Sequence, residues 1–259
     1  MEDIGLYFMR SGRGKRTENS RRKGEEMYRV EDKFACSEME MLLLKSRLQS
    51  IMDTDSNQKG KEGYEITSVY FDDYRDSCFR ESMDGVRERC KYRIRIYDSS
   101  FDVIKLEIKY KKNSRISKLS QRITLEEMNT LLKGECVIRA AEQDDCLGRM
   151  NLAIRTQKLE PVVIVEYDRT AFVYEPGNVR ITLDRNLRYS TNIEDFISGK
   201  KEVYRKLPEE NRVIEIKYDE LLPGVIARII ENGNMTQTSF SKYTLCRRME
   251  LGYVNERCY

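Results

Sequence analysis

The chain has 259 residues, of which 39% are hydrophobic and 35% charged, well above the roughly 25% charge of an ordinary globular chain. Its 47 Lys and Arg stand against 44 Asp and Glu, a net charge of only +3, so overall basicity gives no argument for a nucleic-acid partner. It has no histidine, which excludes Ser-His and Cys-His nucleophilic catalysis, imidazole bases and His-ligated zinc.

Chemistry in this chain therefore rests on carboxylates, Lys, Arg, Tyr and bound metal. The seven cysteines (Cys36, Cys78, Cys90, Cys136, Cys146, Cys246 and Cys258) are odd in number and form no C-x-x-C pair. Free thiols in a reducing, cytoplasmic compartment are the expectation. No run of about 18 apolar residues is present, so no helical membrane span is expected.

Residues 1–27 read as a flexible basic tail, because Arg10 to Lys23 is rich in Gly, Ser, Lys and Arg and poor in apolar side chains. Such an arm can meet an acidic surface or a membrane-protein partner. Residues 28–259 read as one domain. Tyr28 to Ala35 alternates like a strand. Ser37 followed by Glu40 is a capping-box signal for a helix from about Glu38 to Met52. Strand-like runs follow at Ile66 to Asp72, Lys91 to Tyr97, Ile104 to Lys111 and Ile116 to Ile123. Thr124 with Glu127 predicts a second capped helix that Gly134 stops, and a further helical stretch is expected from roughly Arg139 to Thr156. Pro161 opens a second strand cluster: Val162 to Tyr174, Val179 to Leu187 and Arg212 to Tyr218, with a turn at Gly177-Asn178 and a short helix near Ile193 to Ile197. Pro223 suits the first turn of a helix ending by Gly233. The segment Thr238 to Leu251 begins extended and ends helical.

The polar faces of these strands are unusually ionic. Arg29, Glu31 and Lys33 alternate with Tyr28, Val30 and Phe34; Lys91, Arg93 and Arg95 with Tyr92, Ile94 and Ile96. Lys105, Glu107, Lys109 and Lys111 alternate with Leu106, Ile108 and Tyr110; Arg180, Thr182 and Asp184 with Val179, Ile181 and Leu183; Glu215 and Lys217 with Ile214, Ile216 and Tyr218. One such strand is an ordinary solvated sheet face. At least five of them, with several helices available to cover the apolar faces, predict an α+β fold. In it a closed eight-stranded antiparallel β-barrel carries helices on its outside and the ionic face lines the bore. Arg and Lys outnumber Asp and Glu on these faces, so the missing partner is anionic. Arg and Lys suit phosphate oxygens, and the acidic minority suits Mg²⁺ or Mn²⁺. Neither a Walker-type loop nor G-x-G-x-x-G is present. The tyrosines Tyr70, Tyr92, Tyr97 and Tyr110 read as packing groups.

Several segments resemble, in order, the triphosphate tunnel metalloenzyme superfamily. They are Tyr28-Arg-Val-Glu-Asp-Lys-Phe34, Ser68-Val-Tyr-Phe-Asp72, Lys91-Tyr-Arg-Ile-Arg95, Leu106-Glu-Ile-Lys109, Tyr167-Asp-Arg169, Val179-Arg-Ile-Thr-Leu-Asp184, Ile214-Glu-Ile-Lys217 and Ser241-Lys-Tyr243. The set is most similar to one branch, the VTC domain of polyphosphate polymerases, and runs from about residue 28 to 245. The resemblance implies transfer of the γ-phosphoryl group of ATP to a growing polyphosphate chain, with a divalent metal bridging oxygens. It also implies roles. Arg93, Arg95, Lys109 and Arg180 contact phosphates; Glu215 and Glu107 hold the metal. Lys33 and Lys242, with Arg29, Lys91, Lys217 and Arg169, add positive charge to the bore. A metal-dependent triphosphatase on the same scaffold and a non-catalytic polyanion-binding module are the alternatives. Few aromatics share the ionic faces, so no specific nucleic-acid partner is expected.

Overall fold

The computed structural model describes residues 30–56, 58, 63–113, 115–140, 144–208, 212–231, 235–239 and 241–252. The expected tail, Arg29 and the helix stop at Gly233 lie outside these residues. The alternating runs fold as strands: β1 (Val30–Ala35), β3 (Tyr64–Asp72), β4 (Glu88–Tyr97), β5 (Ser100–Lys112), β6 (Arg115–Ile123), β7 (Glu160–Tyr174), β8 (Val179–Ser190) and β10 (Val213–Tyr218). Three two-residue strands join them: β2 (Asp53–Thr54), β9 (Arg205–Lys206) and β11 (Thr236–Gln237). The helices are α1 (Glu38–Gln49), α2 (Ser77–Met83), α3 (Leu125–Leu132), α4 (Cys146–Gln157), α5 (Glu194–Ser198), α6 (Gly224–Glu231) and α7 (Lys242–Glu250).

Both capping boxes form. The Ser37 hydroxyl accepts from the Glu40 amide while the Glu40 carboxylate accepts from the Ser37 amide, and Thr124 and Glu127 do the same for α3. The helix expected from Arg139 is shorter than the sequence pattern implies. It begins at Cys146, with Asp145 as its cap. The Asn151 side chain of this helix holds Val137, ahead of the expected start, by both backbone groups, accepting from its amide at 3.0 Å and donating to its carbonyl at 2.9 Å.

The strands form one antiparallel sheet in the order β11-β1-β10-β8-β7-β3-β4-β5-β6, with β2 on β7 and β9 on β8. Its long strands are the eight expected, but the closed barrel is corrected to an open, curled sheet. No pairing joins β6 to β1 among the described residues. The physical reason is that β11 takes the outer edge of β1. Phe34 and Ala35 pair with Gln237 and Thr236, and the Thr238 amide donates to the Lys33 carbonyl at 2.8 Å. Curling nevertheless brings the two ends together, since Lys109 of β5 lies 3.3 Å from Glu31 of β1.

The apolar strand faces pack outward beneath helices in two clusters. Val69, Ile94, Leu106 and Ile164 meet Met128, Leu131, Leu147 and Met150 of α3 and α4. Ile181, Leu183, Ile214 and Ile216 meet Leu44 and Leu48 of α1 and Ile226 of α6. Burying each such side chain contributes roughly 1.5–3 kcal/mol. That anchoring fixes which face of every strand turns inward, because a one-residue slip would invert it.

Candidate functional site

The inward face gathers charge from strands distant in the sheet. Glu31 and Lys33 on β1 stand opposite Lys217 and Glu215 on β10. Glu31 lies within 3.0 Å of Lys33, 3.3 Å of Lys109 and 3.4 Å of Lys217, and Lys217 also reaches Glu215 at 2.5 Å. Burial, and then Glu215, push the Glu31 carboxyl up, but Lys33, Lys217 and Lys109 outweigh them and bring it down to about 2. Burial likewise opposes charge on Glu215, yet Lys217, Lys33, Arg169 and Lys242 hold it well below the usual carboxylate range. For the Lys33 ammonium, burial is outweighed by Glu215 and Glu31, and its value rises.

Asp184 on β8 anchors the next group. It is 1% exposed and takes both arms of the Arg169 fork at 2.7 Å, together with Lys242 from the first turn of α7 at 2.6 Å. Lys242 also stands 4.7 Å from the centre of the Tyr167 ring, and Tyr167 Oη accepts from Arg95 at 3.3 Å. Gly63 makes this packing possible, since a Cβ there would lie 2.2 Å from the Arg169 carbonyl oxygen.

Glu107 is the third anchor. It is 1% exposed, accepts from Arg93 Nε at 2.7 Å, pairs with Arg93 Nη2 at 2.6 Å and with Lys118, and lies 3.8 Å from Arg95. Burial raises its carboxyl, but Arg93, Arg95 and Lys118 more than reverse that and hold it far below its ordinary value. Arg93 also donates to Tyr70 Oη at 2.9 Å. Tyr70 stacks on Tyr243, with ring centres 4.9 Å apart, and Tyr243 Oη donates to buried Asp72. Arg180 sits apart with Asp55 at 2.8 Å and Tyr64 Oη at 3.2 Å.

Thus Lys33, Lys91, Arg93, Arg95, Lys109, Arg169, Arg180, Lys217, Lys242, Glu107 and Glu215 all face the concave interior, while Arg29 falls outside the described residues. Sequence reasoning gave no site role to Glu31, Asp55, Asp184, Tyr70, Tyr243 or Lys118. Glu31 and Asp184 were visible as inward positions of alternating strands; Asp55, on a loop, carried no periodic signal. Thr182 Oγ1, between Arg180 and Asp184 on the same strand face, is buried with no hydrogen-bond partner among the described residues. Such an orphan asks for a ligand atom. Among the described residues no three of His, Cys, Asp and Glu cluster as a metal cage. On the concave face Glu31 and Glu215 form a carboxylate pair around a shared lysine, Lys217. Such a pair fits a cation completed by phosphate oxygens, as Mg²⁺ commonly is.

No helix among the described residues is long and apolar enough to cross a membrane. Among solved structures, a candidate adenylate cyclase from Bacillus halodurans is 13% identical (TM-score 0.47, covering 89% of this chain and 92% of that one). The PH1819 protein from Pyrococcus horikoshii OT3 is 17% identical (TM-score 0.45, covering 86% and 99%). At these scores the likeness carries no functional argument. No curated protein matches. The VTC domain family model matches residues 28–250, the span that holds every inward charge described above, and the chain belongs to the VTC domain family.

Proposed function

We propose that this protein is an ATP-dependent polyphosphate polymerase that transfers the γ-phosphoryl group of ATP to the end of a polyphosphate chain held on the concave face. One observation carries the reading. Cations from β1, β4, β5, β7, β8, β10 and α7 converge on one interior, where they outnumber the buried carboxylates beside an unpartnered Thr182 hydroxyl. A ligand of several negative charges matches that excess, and membership of the VTC family agrees with it.

A terminal phosphate oxygen of the chain attacks the γ-phosphorus. The bond from that phosphorus to the bridging oxygen breaks, and ADP leaves with the electron pair. Such transfer needs positioning and charge stabilisation more than covalent help. Arg93 and Arg95 hold equatorial oxygens, with Glu107 fixing their forks. Arg169 and Lys242, aimed by Asp184, hold a neighbouring phosphate, and Lys33, Lys109 and Lys217 neutralise charge beside Glu31. Glu215 and Glu31 would hold Mg²⁺ or Mn²⁺, which when bound neutralises phosphate oxygens. Glu107, saturated by Arg93, Arg95 and Lys118, serves as a counter-ion rather than a metal ligand.

The test is incubation of purified protein with ATP and Mn²⁺, followed by sizing of the product. Long phosphate chains with stoichiometric ADP support the polymerase. Orthophosphate as the sole phosphate product would identify a triphosphatase on the same scaffold. Binding of polyphosphate without turnover or metal dependence would leave only a polyanion-binding module.

A further inference from the structure

Lys91 differs from the other interior lysines. Lys33, Lys109, Lys217 and Lys242 each reach a carboxylate. No carboxylate lies within ion-pair distance of Lys91 among the described residues. Its amine donates instead to Ser241 Oγ at 2.7 Å and stands 5.5 Å from the centre of the Tyr243 ring. Ser241 is the cap of α7, its hydroxyl also accepting from the Thr244 amide at 3.3 Å. Lys91 pairs in register with Lys109, and the next inward pair toward the exposed Glu88–Lys112 end is Arg89 with Lys111. A half-buried amine among like charges, with only a neutral hydroxyl as partner, disfavours its own proton.

The groups facing it from each packed element agree. From β1 come Lys33 and, beyond it, Glu31; from β5, Lys109 and Lys111; from its own strand, Arg89. Tyr243 of α7 is held neutral by burial and its bond to Asp72, and Cys78 of α2 by burial. Burial first, then Lys33, Lys109 and Arg89, bring Lys91 down to about 7.

We infer that Lys91 and the Ser241 cap form a proton-linked phosphate subsite at this end of the interior, where the amine takes a proton from solvent as a polyphosphate end arrives. The inference rests on the polyanion-binding reading above. The bookkeeping is simple: a buffer acid loses a proton, the Lys91 nitrogen gains it, and the new ammonium faces the incoming phosphate. Grip on a chain end at this mouth therefore tightens as the pH falls from about 9 to 6.

The experiment is titration calorimetry with inorganic triphosphate, without metal or turnover, in buffers of different ionisation enthalpy. At pH 8 about 0.9 of Lys91 is neutral if it titrates at about 7. Wild type is then expected to take up close to one proton more than Lys91→Arg, which stays charged, and than Lys91→Met, which cannot charge. At pH 6 the difference is expected to shrink to about 0.1. Lys109, brought to about 8 chiefly by burial against the pull of Glu31, feels the charge at position 91; Arg keeps that charge and Met removes it, so an uptake below wild type in both variants is what assigns the proton to Lys91. Lys91→Arg should still bind, and circular dichroism checks that both variants fold. Equal uptake in all three proteins, or loss of binding in a folded Lys91→Arg, overturns the inference. Failure of wild type to bind triphosphate at all would instead sink the polyanion-binding reading.

Discussion

Replacing Glu107 with Gln keeps the shape of the side chain and removes its charge. Arg93, Arg95 and Lys118 then face one another with no anion between them. Stripping one partner from a buried ion pair costs about 3–5 kcal/mol. The Lys118 side chain is 46% exposed and Arg93 19%, so water relieves part of this and about 2–4 kcal/mol remains. With a urea slope of roughly 3 kcal/mol/M, the unfolding midpoint should fall by roughly 1 M. Inorganic triphosphate should narrow the gap to wild type, because its oxygens replace the missing carboxylate. The acid limb should also change. Glu107 is held below the usual carboxylate value of 4.5, so its contribution is present above that pH and lost as the pH falls through the folded value. The variant should lack this part of the acid loss. A cost under about 1 kcal/mol would refute the counter-ion reading. So would a large increase in the Mn²⁺ needed for turnover, which would make Glu107 a metal ligand.

Three other outcomes follow from the same geometry. Arg93→Ala should abolish measurable turnover of ATP with Mn²⁺ while the far-ultraviolet circular dichroism stays native; normal activity would remove this strand from the site. Gly63→Ala should cost more than about 1 kcal/mol in thermal or urea unfolding, since its φ of +101° and the Arg169 carbonyl leave no room for a Cβ. Wild-type stability should rise between about pH 7 and 9, because Lys91 binds its proton less tightly folded than unfolded and the unfolded chain holds the extra proton there; Lys91→Met should flatten that slope.

Much of the site was readable because strand alternation forces direction. Once Ile94 and Leu106 are committed to the core, Arg93, Arg95 and Glu107 have only the other face. Pairings were not readable, since Arg93 against Glu107 depends on the β4–β5 register, which lies in no local pattern. Closure failed for a similar reason. Two residues of β11, invisible as a strand at that length, occupy the edge that β6 would need. Helix α2 escaped because its cap, Asp76, takes a left-handed φ of 56° and makes no side-chain cap bond. The helix expected from Arg139 begins at Cys146, where the Asp145 side chain caps it, a start that the longer helical pattern in the sequence does not single out.

The carboxylates buried beside these cations bear on how a polyanion would enter. Asp184, Glu107 and Glu31 already neutralise part of the charge on these cations from the protein's own side, so the interior holds fewer condensed small ions for an arriving phosphate chain to displace. Few small ions need leave the solvent layer. The affinity for phosphate chains should therefore weaken with added salt less steeply than that of an open basic groove, where each contact frees a condensed counter-ion.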